Sequence, residues 1–511
     1  MLDLERVHTG SLVSEPISIT ADPGSVIAAL ARRDGAVMLD SSAAHDSWGR
    51  YTIAACRPLC VVSLSDGVCE VSSPAEAAGR RIRTRRRGES VPGAVSLTSL
   101  LRRVLGCAAA DGPADEGYAP GWMGYLGYEM GRYFECLPGR VGRDTGLPEM
   151  HLAFYDAVLV YDALTGQWRL VSFVFDDPPP GAGEAGRELL EVLNEAATVA
   201  PPASSPSALQ ADPFADGVWT STFEPDAYRR AVARCVGYIA AGDIFQVNLS
   251  QRFTRPFEAA PSEMYRILRR MNPAAYSGYL SPPACAGGGD WTLLSSSPEL
   301  FLRVRGRRVI TRPIKGTCRR TGDEAADRRA AAALAASAKD NAELAMIVDL
   351  LRNDLGRVCR YGSVRVTDRQ AVETHPTVFH LVGTVVGDLH DNRDLADLIG
   401  ASFPGGSITG APKIRAMEII DELEPVARGP YTGSLAHFGV DGGAELSIII
   451  RTAVCDGRRI HMHAGGGIVA DSTPDGEYVE TLDKARAVLA AIDAADAAGV
   501  AACASPNMEG R

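Results

Sequence analysis

An α+β fold is the class this sequence predicts, and three observations predict it. Runs with period-two alternation, such as 302–311 (Leu, Val, Val and Ile set between Arg and Gly), recur along the chain as strands. Helical patterns separate them, among them a long amphipathic one at 226–241 and an alanine-rich one at 324–355. The composition, 46% hydrophobic and 23% charged over 511 residues, is globular and supplies ample material for a large core. Length alone suggests roughly two to four domains, although a large α+β enzyme can form one unit.

In chain order, residues 26–33 form a short apolar helical pattern ending at the turn pair Asp34-Gly35. Residues 36–39 read as a strand running into Asp40-Ser41-Ser42, and 49–53 resume as a strand. The run RRIRTRRR at 80–87 holds six arginines in eight positions and reads as a solvated surface turn. Small and aromatic residues alternate tightly in GWMGYLGYE, 121–129, which predicts close backbone packing under large rings, a core feature rather than a ligand site. Strand-like runs at 152–161 and 168–175 precede a helix near 184–197. The Pro/Ser-rich stretch 201–207 lacks periodicity and reads as a mobile surface connection.

The expected division is therefore an N-terminal portion, 1–200, a linker, 201–223, a main body, 224–492, and a flexible tail, 493–511. Within the body, a helix at 226–241 leads into a strand at 242–250. Further strands at 291–295, 300–304 and 309–311 lead to Arg312-Pro313-Ile314-Lys315-Gly316-Thr317. Lys315 should sit where a strand gives way to a turn, an amine on a rigid support with an open end. The alanine-rich segment should be largely helical, because alanine costs least in a helix. The last major helix is expected at 479–491.

A net charge of −11 with one short basic cluster does not support a nucleic-acid surface, so a small anionic substrate would need a local basic pocket. Eleven cysteines without CxxC pairs read as reduced thiols. The N-terminus lacks an apolar signal core and no stretch reaches about eighteen continuous apolar residues, so a cytoplasmic protein without a membrane segment is expected.

Two patterns carry chemistry. Asp340 and Glu343 lie three residues apart on the alanine-rich helix, and Glu477 and Glu480 repeat that interval at the start of the last one. Residues i and i+3 share a helix face, so facing pairs could hold Mg²⁺ through one or two oxygens. From spacing alone, surface acids pairing with Lys339 and Lys484 are the simpler reading, and Lys484 fits an i,i+4 pair with Glu480. The second pattern is glycine. Gly465-Gly466-Gly467 follows a strand and could expose backbone N–H groups to an anion; Phe403-Pro404-Gly405-Gly406-Ser407-Ile408-Thr409-Gly410 runs into a helix whose N-terminus would favour a negative group. Either run is also compatible with a simple tight turn.

The segments GDIFQVNLSQRF, SSSPEL, RPIKGT, AELAMIVDLLRNDLGRV, SITGAPKIRAM, GPYTGS, SIIIRTA and HAGGGIVADS occur in this order between residues 224 and 492. Together they resemble the chorismate-utilising enzymes, most of all the first components of aminodeoxychorismate synthase and next those of anthranilate synthase. The resemblance extends weakly into GWMGYLGYEMGRYFE. It implies two large packed antiparallel sheets with helices outside, and a substrate, chorismate, bound between the sheets.

Residue by residue, Glu343 and Glu480 match that family's Mg²⁺ ligands, with Asp340 and Glu477 beside them. Arg451 and Tyr431 match positions that grip the enolpyruvyl carboxylate; Lys484, Gly465, Gly466 and Gly467 help hold the anionic substrate, with Thr409 in the second glycine run, and His380 lies near its ring. Glu299 matches the acid that protonates the departing C4 hydroxyl. Lys315 matches the lysine that adds at ring C2 in aminodeoxychorismate synthases, where anthranilate synthases have alanine. Gln246 stands where isochorismate-forming relatives carry a water-activating lysine. After Thr317 the chain departs from the family with Cys-Arg-Arg-Thr-Gly.

The resemblance thus implies amination of chorismate to 4-amino-4-deoxychorismate, the precursor of 4-aminobenzoate. The ammonia would come from a separate glutamine amidotransferase subunit, since no Gly-x-Cys-x-Gly elbow is present. The rivals are an anthranilate synthase component I and a non-catalytic chorismate-binding subunit. Leu39-Asp40-Ser41-Ser42 with Gly49-Arg50-Tyr51 is similar to elements that build a tryptophan pocket in relatives, with Ser41 as its candidate residue.

Overall fold

The computed structural model describes residues 2–43, 48–74, 79–110, 118–198, 213–214, 217–286, 289–375 and 378–504; the stretch 201–207 and the end of the expected tail lie outside them. Among the described residues, two thirteen-stranded sheets pack face to face with helices on their outer sides. Pairing is antiparallel except at two edges, where His8–Ile17 pairs with Ala108–Ala110 and Arg80–Arg85 with Val95–Ser96. Each sheet is thus antiparallel, as expected, apart from one short parallel pairing at its edge. The inner core joins Val37, Ile53, Val158, Leu280 and Leu293 of one sheet to Val61, Met123, Tyr125, Ala153 and Leu435 of the other.

The N-terminal portion and the main body contribute strands to both sheets. Val37–Asp40 pairs with Tyr276–Leu280 in one, and Gly121–Leu126 pairs with Ser434–Gly439 in the other. At Gly124 a Cβ would stand 1.9 Å from the His151 carbonyl oxygen, so the close strand approach read from GWMGYLGYE requires glycine here.

Several elements differ from expectation for local reasons. The apolar run 152–161 is two strands, Met150–Tyr155 and Ala157–Asp162, which separate at Asp156 and join different sheets. Alternation cannot register that switch, because both halves are buried. Most of RRIRTRRR is a strand, Arg80–Arg85, rather than a turn: Thr84 is buried, Arg81, Arg83 and Arg85 lie exposed on the opposite face, and Arg80 and Arg81 meet Glu5 and Glu70. The alanine-rich segment breaks into Glu324–Ala336 and Ala338–Gly356 at Ser337, whose hydroxyl accepts the Asp340 N–H at 3.3 Å and caps the second helix. The last helix starts at Pro474, ahead of the expected position.

The described cysteines are all free. No helix of the described residues is long and apolar enough to cross a membrane.

Candidate active site

One sheet supplies the floor of the candidate site through Gln246–Pro256 and Arg459–Ile468, paired so that Asn248 stands opposite Gly467 and Ser250 opposite Gly465. Because side chains alternate, Gln246, Asn248, Ser250 and Arg252 share the inner face, while Val247 and Leu249 pack outward against Tyr228, Met417 and Ile420. The triple glycine lies inside the strand rather than after it. Its carbonyl and N–H groups still reach the site: Lys484 donates to the Gly465 oxygen at 3.0 Å, which therefore faces away from the neighbouring strand. By alternation Gly467 faces the same way, toward the edge that Thr452–Asp456 stops covering at Met462. Glycine is needed for room as well. A Cβ at Gly466 would meet Glu477 Oε2 at 2.8 Å, and one at Gly467 would meet Gln246 Nε2 at 2.4 Å and Lys315 Nζ at 3.6 Å.

The other sheet supplies Lys315. It lies within the strand Ile314–Arg319, not beyond a strand end, and the register against Val378–Asp388 slips between Lys315 and Thr317, with Gly316 at φ +66°. Such a bulge re-aims a side chain, here toward Gln246 and Gly467 of the facing sheet. Among the described residues the half-buried amine reaches only the Ser407 carbonyl, at 3.5 Å. Burial, with Lys484 assisting, holds it below lysine's usual range against the pull of Glu343, Glu299 and Glu480.

Glu299 sits between Trp291–Ser297 and Leu300–Arg305 and is buried. Burial raises its carboxyl above the usual range although Ser407, the Ile314 backbone, Lys315 and Arg451 oppose it. A carboxyl shifted toward its protonated form and an amine shifted toward its neutral form thus share one space. Arg451 takes φ +50°, a left-handed conformation unusual for arginine, and feels Glu299; its guanidinium has no hydrogen bond among the described residues. His380 lies opposite Thr317, whose hydroxyl is 2.9 Å from Nδ1; burial, then Arg451 and His375, pushes it to about 3, so it is neutral.

The carboxylates gather here too. Asp340 packs over Gly316, and Glu343 is raised by burial in spite of Lys315 and Lys339. Burial pushes Glu480 upward as well, but Lys484, Lys339 and Lys315 outweigh it and hold it below the usual range. The ion pairs expected of surface acids form, Lys484–Glu480 at 2.7 Å and Lys339–Glu343 at 3.9 Å. Glu477 accepts from the Ser472 hydroxyl at 2.6 Å through Oε1, while Oε2 is buried without a partner. No three acidic, His or Cys side chains among the described residues converge on one point. An all-oxygen set with one orphaned carboxylate oxygen fits Mg²⁺, which takes one or two carboxylates and completes its shell with water and substrate. Glu343 and Glu480 would hold it, with Glu477 and Asp340 adjacent.

Thr409 is fully buried and donates to the Gly405 carbonyl at 3.0 Å; Lys413 pairs with Asp354 at 2.7 Å. Tyr431 stacks on His463, ring centres 5.0 Å apart, and borders a cleft of ≈ 400 Å³ with Arg252, Thr452 and His461. The buried pair Arg428–Glu424, 2.7 Å, ties these parts together: Arg428 donates to the Ile408 and Asn248 carbonyls and the Thr432 hydroxyl, and Glu424 accepts from the Ser250 N–H and hydroxyl. Sequence reasoning missed this pair and also Ser407 and Asn248. Asn248 was findable, since it alternates with Gln246.

Ser41 lies apart, on a cleft of ≈ 370 Å³ lined by Tyr51, Tyr118, Tyr276 and Glu445. Its hydroxyl lies 2.9 Å from the Tyr51 carbonyl and 3.0 Å from that of Ala275.

A model of the family described as chorismate binding enzyme matches residues 79–490. The chain is 42% identical over 404 residues to anthranilate synthase component 1 of Streptomyces coelicolor, covering 78% of each. It is 36% identical over 446 residues to aminodeoxychorismate synthase component 1 of Bacillus subtilis, covering 87% of this chain and 90% of that one. The crystal structure of anthranilate synthase component I from Streptococcus pneumoniae aligns with TM-score 0.70 at 29% identity, over 87% of this chain and 93% of that one.

Proposed function

We propose that this chain, which belongs to the chorismate binding enzyme family, aminates chorismate to 4-amino-4-deoxychorismate as the first component of an aminodeoxychorismate synthase. The observation that carries this reading is Lys315: an amine lowered by burial, aimed by a bulge into the space it shares with a raised Glu299. A charge-neutral amine is a nucleophile and a protonated carboxyl is an acid, and the reaction needs both.

Lys315 Nζ forms a bond to ring C2 as the C4–O bond breaks, and Glu299 gives its proton to the departing hydroxyl, which leaves as water. Ammonia then bonds to C4 as the C2–N bond breaks. The secondary ammonium leaves as the neutral Lys315 amine, and the new C4 ammonium returns one proton to Glu299. Atoms and charge balance as chorismate plus ammonia giving aminodeoxychorismate plus water. Arg451, Lys484 and the Gly465 and Gly467 peptides would hold the two substrate carboxylates, and neutral His380 faces the ring without adding charge. Bound Mg²⁺ would supply neutralisation of the ring carboxylate beside Glu343 and Glu480. Ammonia would be delivered by a glutamine amidotransferase subunit, and the free thiols fit a cytoplasmic setting. The Ser41 cleft is read as the tryptophan pocket.

A second reading, anthranilate synthase component I, is favoured by the 42% identity to the Streptomyces coelicolor protein of that name. Incubating the chain with chorismate, Mg²⁺ and ammonium and identifying products by mass decides between them. Aminodeoxychorismate that disappears in Lys315→Ala supports the proposal. Anthranilate with released pyruvate, unaffected by that substitution, overturns it, and a chain that binds chorismate without turnover would be a regulatory subunit.

A further inference from the structure

The floor strand carries polar atoms that the mechanism has not yet used. Gln246 is fully buried, and neither its Oε1 nor its Nε2 has a hydrogen-bond partner; Asn248 is 8% exposed, and its Oδ1 has none either. Burying an amide without a partner is costly, so two such residues side by side point to a polar ligand rather than to packing. The position singles out which ligand. Gln246 and Asn248 lie two residues apart on one strand face, a separation of roughly 7 Å that a single small molecule can bridge. The space they overhang is the one left by Gly467, opposite Asn248 in register and next to Lys315 Nζ.

We propose that Asn248, together with Gln246, forms the subsite that binds ammonia for attack at C4; the inference rests on the amination reading above. Lysine attaches at C2 and ammonia must bond at C4, two ring positions away across C3, so the ammonia site lies within one ring's width of Lys315. The two unpartnered amide oxygens accept two of ammonia's N–H groups and leave its lone pair directed away from the strand, toward the ring. Neutral acceptors suit this task. A carboxylate in their place would favour ammonium, which has no lone pair. Asn248 is locked in place from the backbone side, where Arg428 takes its carbonyl at 2.8 Å and its N–H donates to the Thr409 carbonyl at 2.8 Å. Its side chain is therefore aimed by the backbone and left free for a ligand.

The test is steady-state kinetics with ammonium chloride as the nitrogen source at saturating chorismate and Mg²⁺. Asn248→Leu is expected to raise KM for ammonia about tenfold while KM for chorismate stays within about twofold, the loss of one hydrogen bond to one substrate. The covalent Lys315 adduct, read by intact mass with chorismate and no ammonia, should form in the variant as in the parent chain. Asn248→Ser keeps a shorter hydroxyl acceptor and should raise KM for ammonia about threefold. It carries the test by itself if a thermal melt shows that the leucine variant does not fold. An unmoved KM for ammonia, or one that rises in step with KM for chorismate, overturns the subsite while leaving the amination reading intact. A parent chain that forms neither adduct nor aminated product overturns that reading, and the subsite with it.

Discussion

Around Ser41 the buried polar groups are largely matched within the protein, whereas around Lys315 several are not. Asp40 accepts from Thr52 at 2.9 Å, Arg269 at 2.9 Å and Tyr265 at 3.2 Å, and Glu445 holds Arg303 at 2.5 Å; among the described residues lining this cleft, the Tyr276 hydroxyl is the one buried polar atom left over. In the region of Lys315, Gln246, Asn248 and Glu477 all keep buried atoms without partners, and Lys315 has a single long contact. Both regions are buried between or beside the same sheets, so burial does not distinguish them. What differs is satisfaction. A closed network fixes the fold, and an open one is stable only because the surrounding structure holds it ready for a ligand.

The largest expected effect breaks the open side. Lys315→Ala should cost roughly a thousandfold or more in amination while the denaturation midpoint stays near that of the parent chain. Glu299→Gln should cost about 10²- to 10⁴-fold, read as single-turnover adduct formation. The opposite pattern is expected on the closed side: Arg269→Ala strands buried Asp40 and should lower stability by about 3–5 kcal/mol in urea, with kcat/KM of the folded fraction little changed. If Arg269→Ala silenced the enzyme without destabilising it, the contrast between the two regions would fail.

Acidity sharpens the same contrast. Adduct formation should rise with pH as Lys315, held below its usual range, loses its proton, and fall again as Glu299, held above its own, ionises; Glu299→Gln should remove the falling limb. Glu129 gives a structural counterpart away from the chemistry. It accepts from the Arg428 and Gly429 N–H groups, and burial raises it to about 7. A carboxyl raised on folding contributes stability that is fully present below its ordinary pKa and is lost as pH rises through the folded value. The melting temperature should therefore decline between about pH 4.5 and pH 7 and flatten in Glu129→Gln. The smallest effect belongs to Lys484, whose 45% exposed pair with Glu480 should contribute under about 1 kcal/mol to stability. Lys484→Ala should instead show itself in KM for chorismate.

Much of this was legible before any coordinate. Alternation and helical spacing located most elements, and the ordered motifs nominated Lys315, Glu299, Arg451 and the four carboxylates, all of which the fold brings to one space or its rim. The misses share a cause. The run through Asp156 looked like one strand because a buried strand reads the same in either sheet, and the alanine-rich stretch looked like one helix because the cap at Ser337 is a weak local signal against strong alanine propensity.

By itself the sequence determined residue type and periodicity, and so which side chains share a strand or helix face. It could not say which faces meet, because pairing residue 248 with 467, or bringing the bulge at 315 over that pair, is a long-range event with no local trace. Only the packed sheets decided which buried polar groups were satisfied and which were left open, since a hydrogen-bond partner hundreds of residues away exists only once the chain has folded.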